Sequence, residues 1–188
     1  MADLAQARVL ILATDGFEQD ELFKPRQALL DAGVQISLAS IKTDPIQGVI
    51  NDSEKGESIT PDLTLDDVDT DDYDALLLPG GVGNPDKMRL EDRAIEIVTE
   101  FMEDDKIVAA ICHAPWLLVE ADVVDGRRVT SWPSVRTDLE NAGADVVDEQ
   151  VVVDGNLITS RKPDDIPAFN QAILDALAEE LAEESEEA

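Results

Sequence analysis

Residues 108–116 read VAAICHAPW and hold the only cysteine and the only histidine of the chain side by side, Cys112 and His113. A thiolate is a strong nucleophile toward carbonyl carbon, and an imidazole can take or return a proton near neutral pH. A lone cysteine by itself is best explained as a small buried hydrophobe. Its position argues for more. KIVAAIC (106–112) has strand character and runs without a break into APWLLVEA (114–121), which has helix character. A residue between a buried strand and a following helix occupies a sharp turn that lifts its side chain above the sheet, and the turn needs small neighbours, here Ala110 and Ala114. The helix N-terminus offers unpaired N–H groups and a positive dipole end, which favour a thiolate and an oxyanion. Consecutive side chains usually diverge, whereas a base must come within about 3 Å of the proton it takes. Two arrangements follow: His113 as base to Cys112, or His113 turned toward a neighbouring subunit while a carboxyl manages the thiol proton.

The surrounding elements alternate between strand and helix. ARVLILAT (7–14), VQISLAS (34–40), DALLLPGG (74–81) and KIVAAIC are short apolar strands, and GRRVTS (126–131) continues the series. Helical spacing follows the first strand up to Gly33, with Pro25 inside the pattern, and recurs over 93–105, 114–121 and 134–143. VVVDGNLITS (151–160) reads as a hairpin turning on Asp154-Gly155 before a C-terminal helix. Residues 43–72 fit the alternation poorly and suggest a small hairpin excursion. Such alternation predicts an α/β sandwich of three layers, a mostly parallel sheet with helices on both faces, and an active site at the carboxyl ends of the strands. Asp15 to Glu18, Gly80-Gly81 and Cys112-His113 all fall at such ends.

The chain has 188 residues, 44% of them hydrophobic, which suits one domain over 1–178 with an acidic C-terminal tail over 179–188. Its formal net charge is −29, and the tail explains little of it, since 37 acidic residues against 14 basic ones precede Glu179, a net of −23. Self-repulsion of this size favours a salt-rich cytosol, as in a halophilic archaeon, where the Debye length falls to about 3 Å at 1 M salt. Nucleic acid is excluded as a partner by the same charge. No apolar run approaches the roughly 20 residues that span a bilayer, and the N-terminal residues lack a basic start and a cleavage site, so a cytoplasmic protein is expected. One cysteine and one histidine cannot form an intrachain disulfide or a structural zinc site, and no metal and no cofactor are expected.

PGG at 79–81, AAICHAPWLL at 109–118, FEQDEL at 17–22 and VVVDGNLITSRKPDD at 151–165 resemble the PfpI family of intracellular cysteine peptidases, in the superfamily of the parkinsonism-linked deglycase and class I glutamine amidotransferases. The resemblance covers nearly the whole chain and implies a flavodoxin-like sandwich. It also implies Cys112 as nucleophile, His113 as supporting base, Glu18 as the carboxyl that hydrogen-bonds the thiolate, and an oxyanion hole from the backbone N–H groups of Gly81 and His113. Where the family carries Gly after Cys-His this chain has Ala114. Asp86, in NPDKMRL (84–90), matches the family's third acid, which acts on the histidine of a neighbouring subunit. A homodimer, or a hexamer of three dimers, is implied in turn.

Of the remaining residues, Gly80 and Trp132 are expected to line the pocket and Trp116 to pack in the helix layer. Arg161 and Lys162 stand out as basic residues in an acidic stretch, fit either for an anionic substrate group or for surface ion pairs. Gly80-Gly81 lacks the Lys-Ser/Thr of a phosphate cradle. Two reactions share thiolate addition to carbonyl carbon: a glyoxalase or deglycase reaction on methylglyoxal or glycated amines, and peptidase or amidase cleavage. The alternative is a redox sensor or stress chaperone in which Cys112 is oxidised without turnover. A glutaminase module is disfavoured, because it uses a histidine late in the chain.

Overall fold

The computed structural model describes residues 4–187. In chain order the elements are β1 (Arg8–Leu12), β2 (Phe17–Glu18), α1 (Gln19–Asp31), β3 (Gln35–Ser40), β4 (Ile46–Ile50), β5 (Glu54–Ile59), β6 (Leu63–Thr64), β7 (Ala75–Leu78), α2 (Gly83–Met88), α3 (Asp92–Glu103), β8 (Ile107–Ile111), α4 (Pro115–Glu120), β9 (Arg128–Val129), α5 (Arg136–Asn141), β10 (Asp145–Val146), β11 (Val151–Asp154), β12 (Leu157–Ser160) and α6 (Ile166–Glu187). The central sheet runs β11-β12-β8-β7-β1-β3-β6, parallel throughout except for the edge strand β11.

Successive strand residues point to opposite faces, so the apolar runs build two cores. Leu10, Leu12, Leu76, Leu78, Val108 and Ala110 face one way and meet Ile97 and Phe101 of α3, Leu117 of α4 and Leu139 of α5. Val9, Ile11, Leu77, Ala109 and Ile111 face the other way, against Leu22 and Leu29 of α1 and Phe169 and Ile173 of α6. A sheet covered on both faces requires strands apolar at every position, and β1, β7 and β8 are buried almost throughout. This is the expected flavodoxin-like three-layer sandwich.

Two details differ from the sequence reading. The strand in GRRVTS does not join the central sheet; only Arg128 and Val129 are extended, and they pair with β10 in a separate two-stranded piece. The hairpin β11–β12 turns one residue later than expected, because Asp154 pairs with Leu157 and leaves Gly155-Asn156 as the turn. The acidic tail expected over 179–188 is helical as far as Glu187, where it continues α6, and Ala188 lies outside the described residues, as does the start of the expected domain before residue 4.

The excursion over 43–72 is a hairpin, β4–β5, whose first strand also pairs with β2. Its turn places Asn51 and Asp52 at φ 53° and 56°, a left-handed conformation that Asn and Asp tolerate better than most residues. This hairpin reaches back over the carboxyl ends of β1, β7 and β8. No described helix is long and apolar enough to cross a membrane.

Candidate active site

Cys112 follows β8 directly and has φ 66°. A left-handed backbone costs an L-residue about 1–2 kcal/mol, so it persists only where the surroundings fix it. Here they do. The Cys112 N–H donates to Ser160 O at 3.0 Å at the end of β12, and the Cys112 carbonyl accepts from the Trp132 N–H at 3.0 Å. The Ala114 N–H closes the turn onto Ile111 O at 3.0 Å. The turn also brings the two neighbouring side chains together: Sγ of Cys112 lies 3.2 Å from Nδ1 of His113. The divergence usual for adjacent residues does not occur, because the backbone reverses between them.

The carboxyl against the thiol is Glu21, where Glu18 was expected. Glu21 is fully buried in the first turn of α1, on the stripe that carries Leu22, Pro25 and Leu29 into the core. Its Oε2 accepts the Gly80 N–H at 2.9 Å, and its carboxyl lines the same pocket as Cys112. The buried Oε1 has no hydrogen-bond partner among the described residues. Burial pushes the Glu21 pKa well above the ordinary carboxylate range, against the partial offset of the thiol and the Gly80 N–H. Burial likewise pushes the Cys112 thiol up, and a charged Glu21 beside it would push it further. The pair titrates as a unit and does not carry two charges. A buried carboxylate with one oxygen unpaired is costly, whereas the protonated acid can donate from Oε1 to sulfur, so the proton belongs on Glu21.

Glu18 precedes α1, and its side chain points to the hairpin turn. Its Oε1 and Oε2 accept the Asn51 and Asp52 N–H groups at 3.2 and 3.3 Å. Burial raises its pKa and these two donors lower it in part. Asp52 Oδ1 in turn accepts the Val82 N–H at 2.8 Å. Glu18 therefore holds the hairpin down on the rim of the site and does not manage the thiol proton. Helical periodicity carries the signal that separates the two acids: positions 21, 25 and 29 form one buried face, and a carboxyl on that face must be neutral or paired.

His113 is 4% exposed, and burial lowers its pKa despite the opposing charge of Asp52, so the imidazole is neutral at neutral pH. Its far nitrogen, Nε2, lies 3.3 Å from Ser134 Oγ. Trp116 meets the ring edge-on at 5.2 Å between centroids, and Trp132 stacks on it at 5.9 Å. Trp116 is held by its Nε1–H donating to Asp138 at 2.9 Å. Asp86 lies on the exposed side of α2, outside the group around Cys112; within the chain the position at Nε2 belongs to Ser134. No motif in the sequence singles out Ser134.

Gly80 and Gly81 follow β7 and have no room for side chains. A Cβ on Gly80 would stand 2.5 Å from Glu21 Oε2 and 2.8 Å from Cys112 Cβ. Gly81 has φ +77°, and a Cβ there would collide with Gly16 O and come 2.6 Å from the Glu18 nitrogen. The buried Asn84 fixes this loop, donating through Nδ2 to Pro79 O at 2.9 Å and accepting the Thr14 N–H at 2.8 Å. Above the sulfur lies a pocket of about 170 Å³ walled by Glu18, Glu21, Asn51, Asp52, Trp132 and Pro163. Among the described residues no group of three or more His, Cys, Asp or Glu side chains could hold a metal ion.

Comparison with known proteins shows the family. A protein of Bacillus subtilis named general stress protein 18 is 44% identical over 89% of this chain and 95% of its own length. A Pyrococcus abyssi protein named as a deglycase is 43% identical over 86% of this chain and 94% of its own. Among solved structures, Drosophila melanogaster DJ-1beta superposes with a TM-score of 0.84 at 30% identity, covering 95% of this chain and 96% of that one. The DJ-1/PfpI family model matches residues 7–176, and the chain belongs to the DJ-1/PfpI family.

Proposed function

We propose that the protein is a cysteine-dependent enzyme acting on small α-oxoaldehydes such as methylglyoxal and on the adducts they form with amines. The observation that carries this reading is the buried Glu21 carboxyl beside the Cys112 side chain in one pocket, with His113 Nδ1 3.2 Å from the sulfur. The Cys112 sulfur adds to the aldehyde carbon, forming the C–S bond of a hemithioacetal. The oxygen of the former aldehyde takes up negative charge between the backbone N–H groups of Gly81 and His113 and then a proton. Neutral His113 removes the hydrogen on that carbon, and its return to the neighbouring carbon converts the hemithioacetal to a lactoyl thioester. Water cleaves the thioester, which releases lactate and restores the thiol. With an amine adduct the C–N bond breaks as the C–S bond forms, and the free amine leaves. The sum is oxoaldehyde plus water to hydroxy acid, a redox-neutral reaction that needs no external oxidant or cofactor.

Pocket size favours this over peptide cleavage. About 170 Å³ lies below the roughly 300–1,000 Å³ usual for clefts that enclose larger ligands. The name of the Pyrococcus relative points the same way. Wild type is expected to form lactate from methylglyoxal and Cys112→Ala is not. Equal lactate from both sinks the reading, and cleavage of a peptide substrate without lactate replaces it by the peptidase reading.

A further inference from the structure

A second recess of about 250 Å³ adjoins Trp132 and is walled by Trp132, Pro133, Arg136, Asp148, Arg161 and Lys162. The two recesses share Trp132 as a wall, and Lys162 of one adjoins in sequence Pro163 of the other, so they are neighbours. Three of the 14 basic residues of a chain with net charge −29 wall this one small space. Two of them converge on a single oxygen. Arg136 Nη2 and Arg161 Nη1 stand 2.7 and 2.8 Å from Oδ1 of Asp148. Those distances are charge-assisted hydrogen bonds, and they mark where two guanidinium groups hold one oxyanion. Arg161 is fixed for the purpose from behind, with Nε and Nη2 donating to the two oxygens of the buried Asp165 at 2.8 and 3.1 Å. Arg136 is not saturated: its Nε is buried and has no hydrogen-bond partner. Among the described residues Lys162 has only Asp164, at 3.7 Å, as an ion-pair partner. The carboxylate that fills the place, Asp148, is 61% exposed in its side chain and belongs to the irregular segment between β10 and β11, so it can leave without disturbing an element.

We propose that this recess is a subsite for an oxyanion carried by the substrate, a carboxylate or a phosphate, and that Asp148 occupies it until such a group displaces it. The substrates preferred by the enzyme are then amine adducts or carbonyl compounds whose amine or carbon chain ends in an acid, with the reacting carbonyl at Cys112 and the anion beyond Trp132. The walls match this polarity, since Glu18 and Asp52 repel an anion from the thiol side while Arg136 and Lys162 attract it on the other. This inference rests on the carbonyl reading for turnover, but its binding step does not.

The test uses two haloacetyl reagents that differ only in charge, N-(iodoacetyl)glycine and N-(iodoacetyl)glycinamide, with Cys112 alkylation followed by intact mass at one fixed ionic strength. The acid-to-amide rate ratio is normalised to free cysteine. In wild type it is expected to be about 10, the effect of roughly 1.4 kcal/mol. It should fall toward 1 in Arg136→Gln and Lys162→Gln and rise in Asp148→Asn, which removes the competing charge from the subsite. A ratio at or below 1 in wild type, or one unchanged across the three variants, overturns the proposal. Lactate formation from the methylglyoxal adducts of glycine and glycinamide runs in parallel. Its absence with an intact alkylation preference defeats the carbonyl reading and leaves the subsite standing.

Discussion

Ser134 Oγ lies 3.3 Å from Nε2 of His113, on the side of the imidazole opposite the Cys112 sulfur, which lies 3.2 Å from Nδ1. The ring is thus gripped at both nitrogens within one chain, and the partner at Nε2 decides which tautomer faces the thiol. With Nε2–H donating to Ser134, Nδ1 is left as an acceptor and can take a proton from sulfur or from substrate carbon.

Ser134→Ala is therefore expected to lower kcat/KM for methylglyoxal about fivefold, the effect of one hydrogen bond worth about 1 kcal/mol. The acid limb of the pH profile should move with it, because the imidazole loses its orienting partner. Ser134→Thr, which keeps the hydroxyl, should restore both. Since Ser134 is exposed, the thermal midpoint should hardly change; an unchanged pH profile in the alanine variant would remove Ser134 from the mechanism.

Glu21 makes a stability prediction with a definite sign. Burial raises its pKa in the folded chain well above the ordinary carboxylate range. Folding then binds the proton more tightly, so this group's contribution is complete below about pH 4.5 and is lost as pH rises through the folded value. Glu21→Gln mimics the protonated acid and cannot ionise. Its melting temperature should match wild type near pH 4.5 and exceed it increasingly toward pH 9. A variant less stable than wild type at pH 9 contradicts the assignment.

The backbone at Cys112 makes another. Cys112→Ala keeps an L-residue at φ 66°, whereas Cys112→Gly relieves it. Neither should form lactate. The glycine variant should be the more stable of the two by about 1 kcal/mol in urea unfolding, although it is smaller. The reverse order means that the turn is not strained.

Charge spread over the whole domain, net −29, should make stability strongly dependent on salt. Raising KCl from 0.1 to 2 M screens the self-repulsion and is expected to raise the melting temperature by about 10 °C, corresponding to a few kcal/mol for a chain of this length. A change under about 2 °C would argue against a protein adapted to concentrated salt.

Much of this was legible from the residues alone, for physical reasons. β1, β7 and β8 are buried on both faces, so their sequences are unbroken apolar runs, and the small residues around Cys112 and the diglycine announce tight turns. The three features at strand ends do meet. What sequence order could not separate was Glu18 from Glu21, which differ by three positions and thus by nearly one helical turn. One faces a hairpin turn donated from residues 51 and 52, and the other faces the thiol. That choice depends on where α1 begins, and Glu21 sharing a buried stripe with Pro25 and Leu29 is the clue. Ser134 and the grip of Arg136 and Arg161 on Asp148 depend on loops that meet only in three dimensions, and no local pattern encodes them.

Spectrophotometric titration of the Cys112 thiolate, wild type against Glu21→Gln, tests the central claim that Glu21 is a neutral acid donating to the sulfur. The amide keeps a donor and brings no charge, so the thiol pKa should stay within about one unit of wild type, a difference of about 1.4 kcal/mol. A thiol pKa that falls by more than this in Glu21→Gln would show that Glu21 is ionised beside the sulfur, and the account of the nucleophile would be wrong.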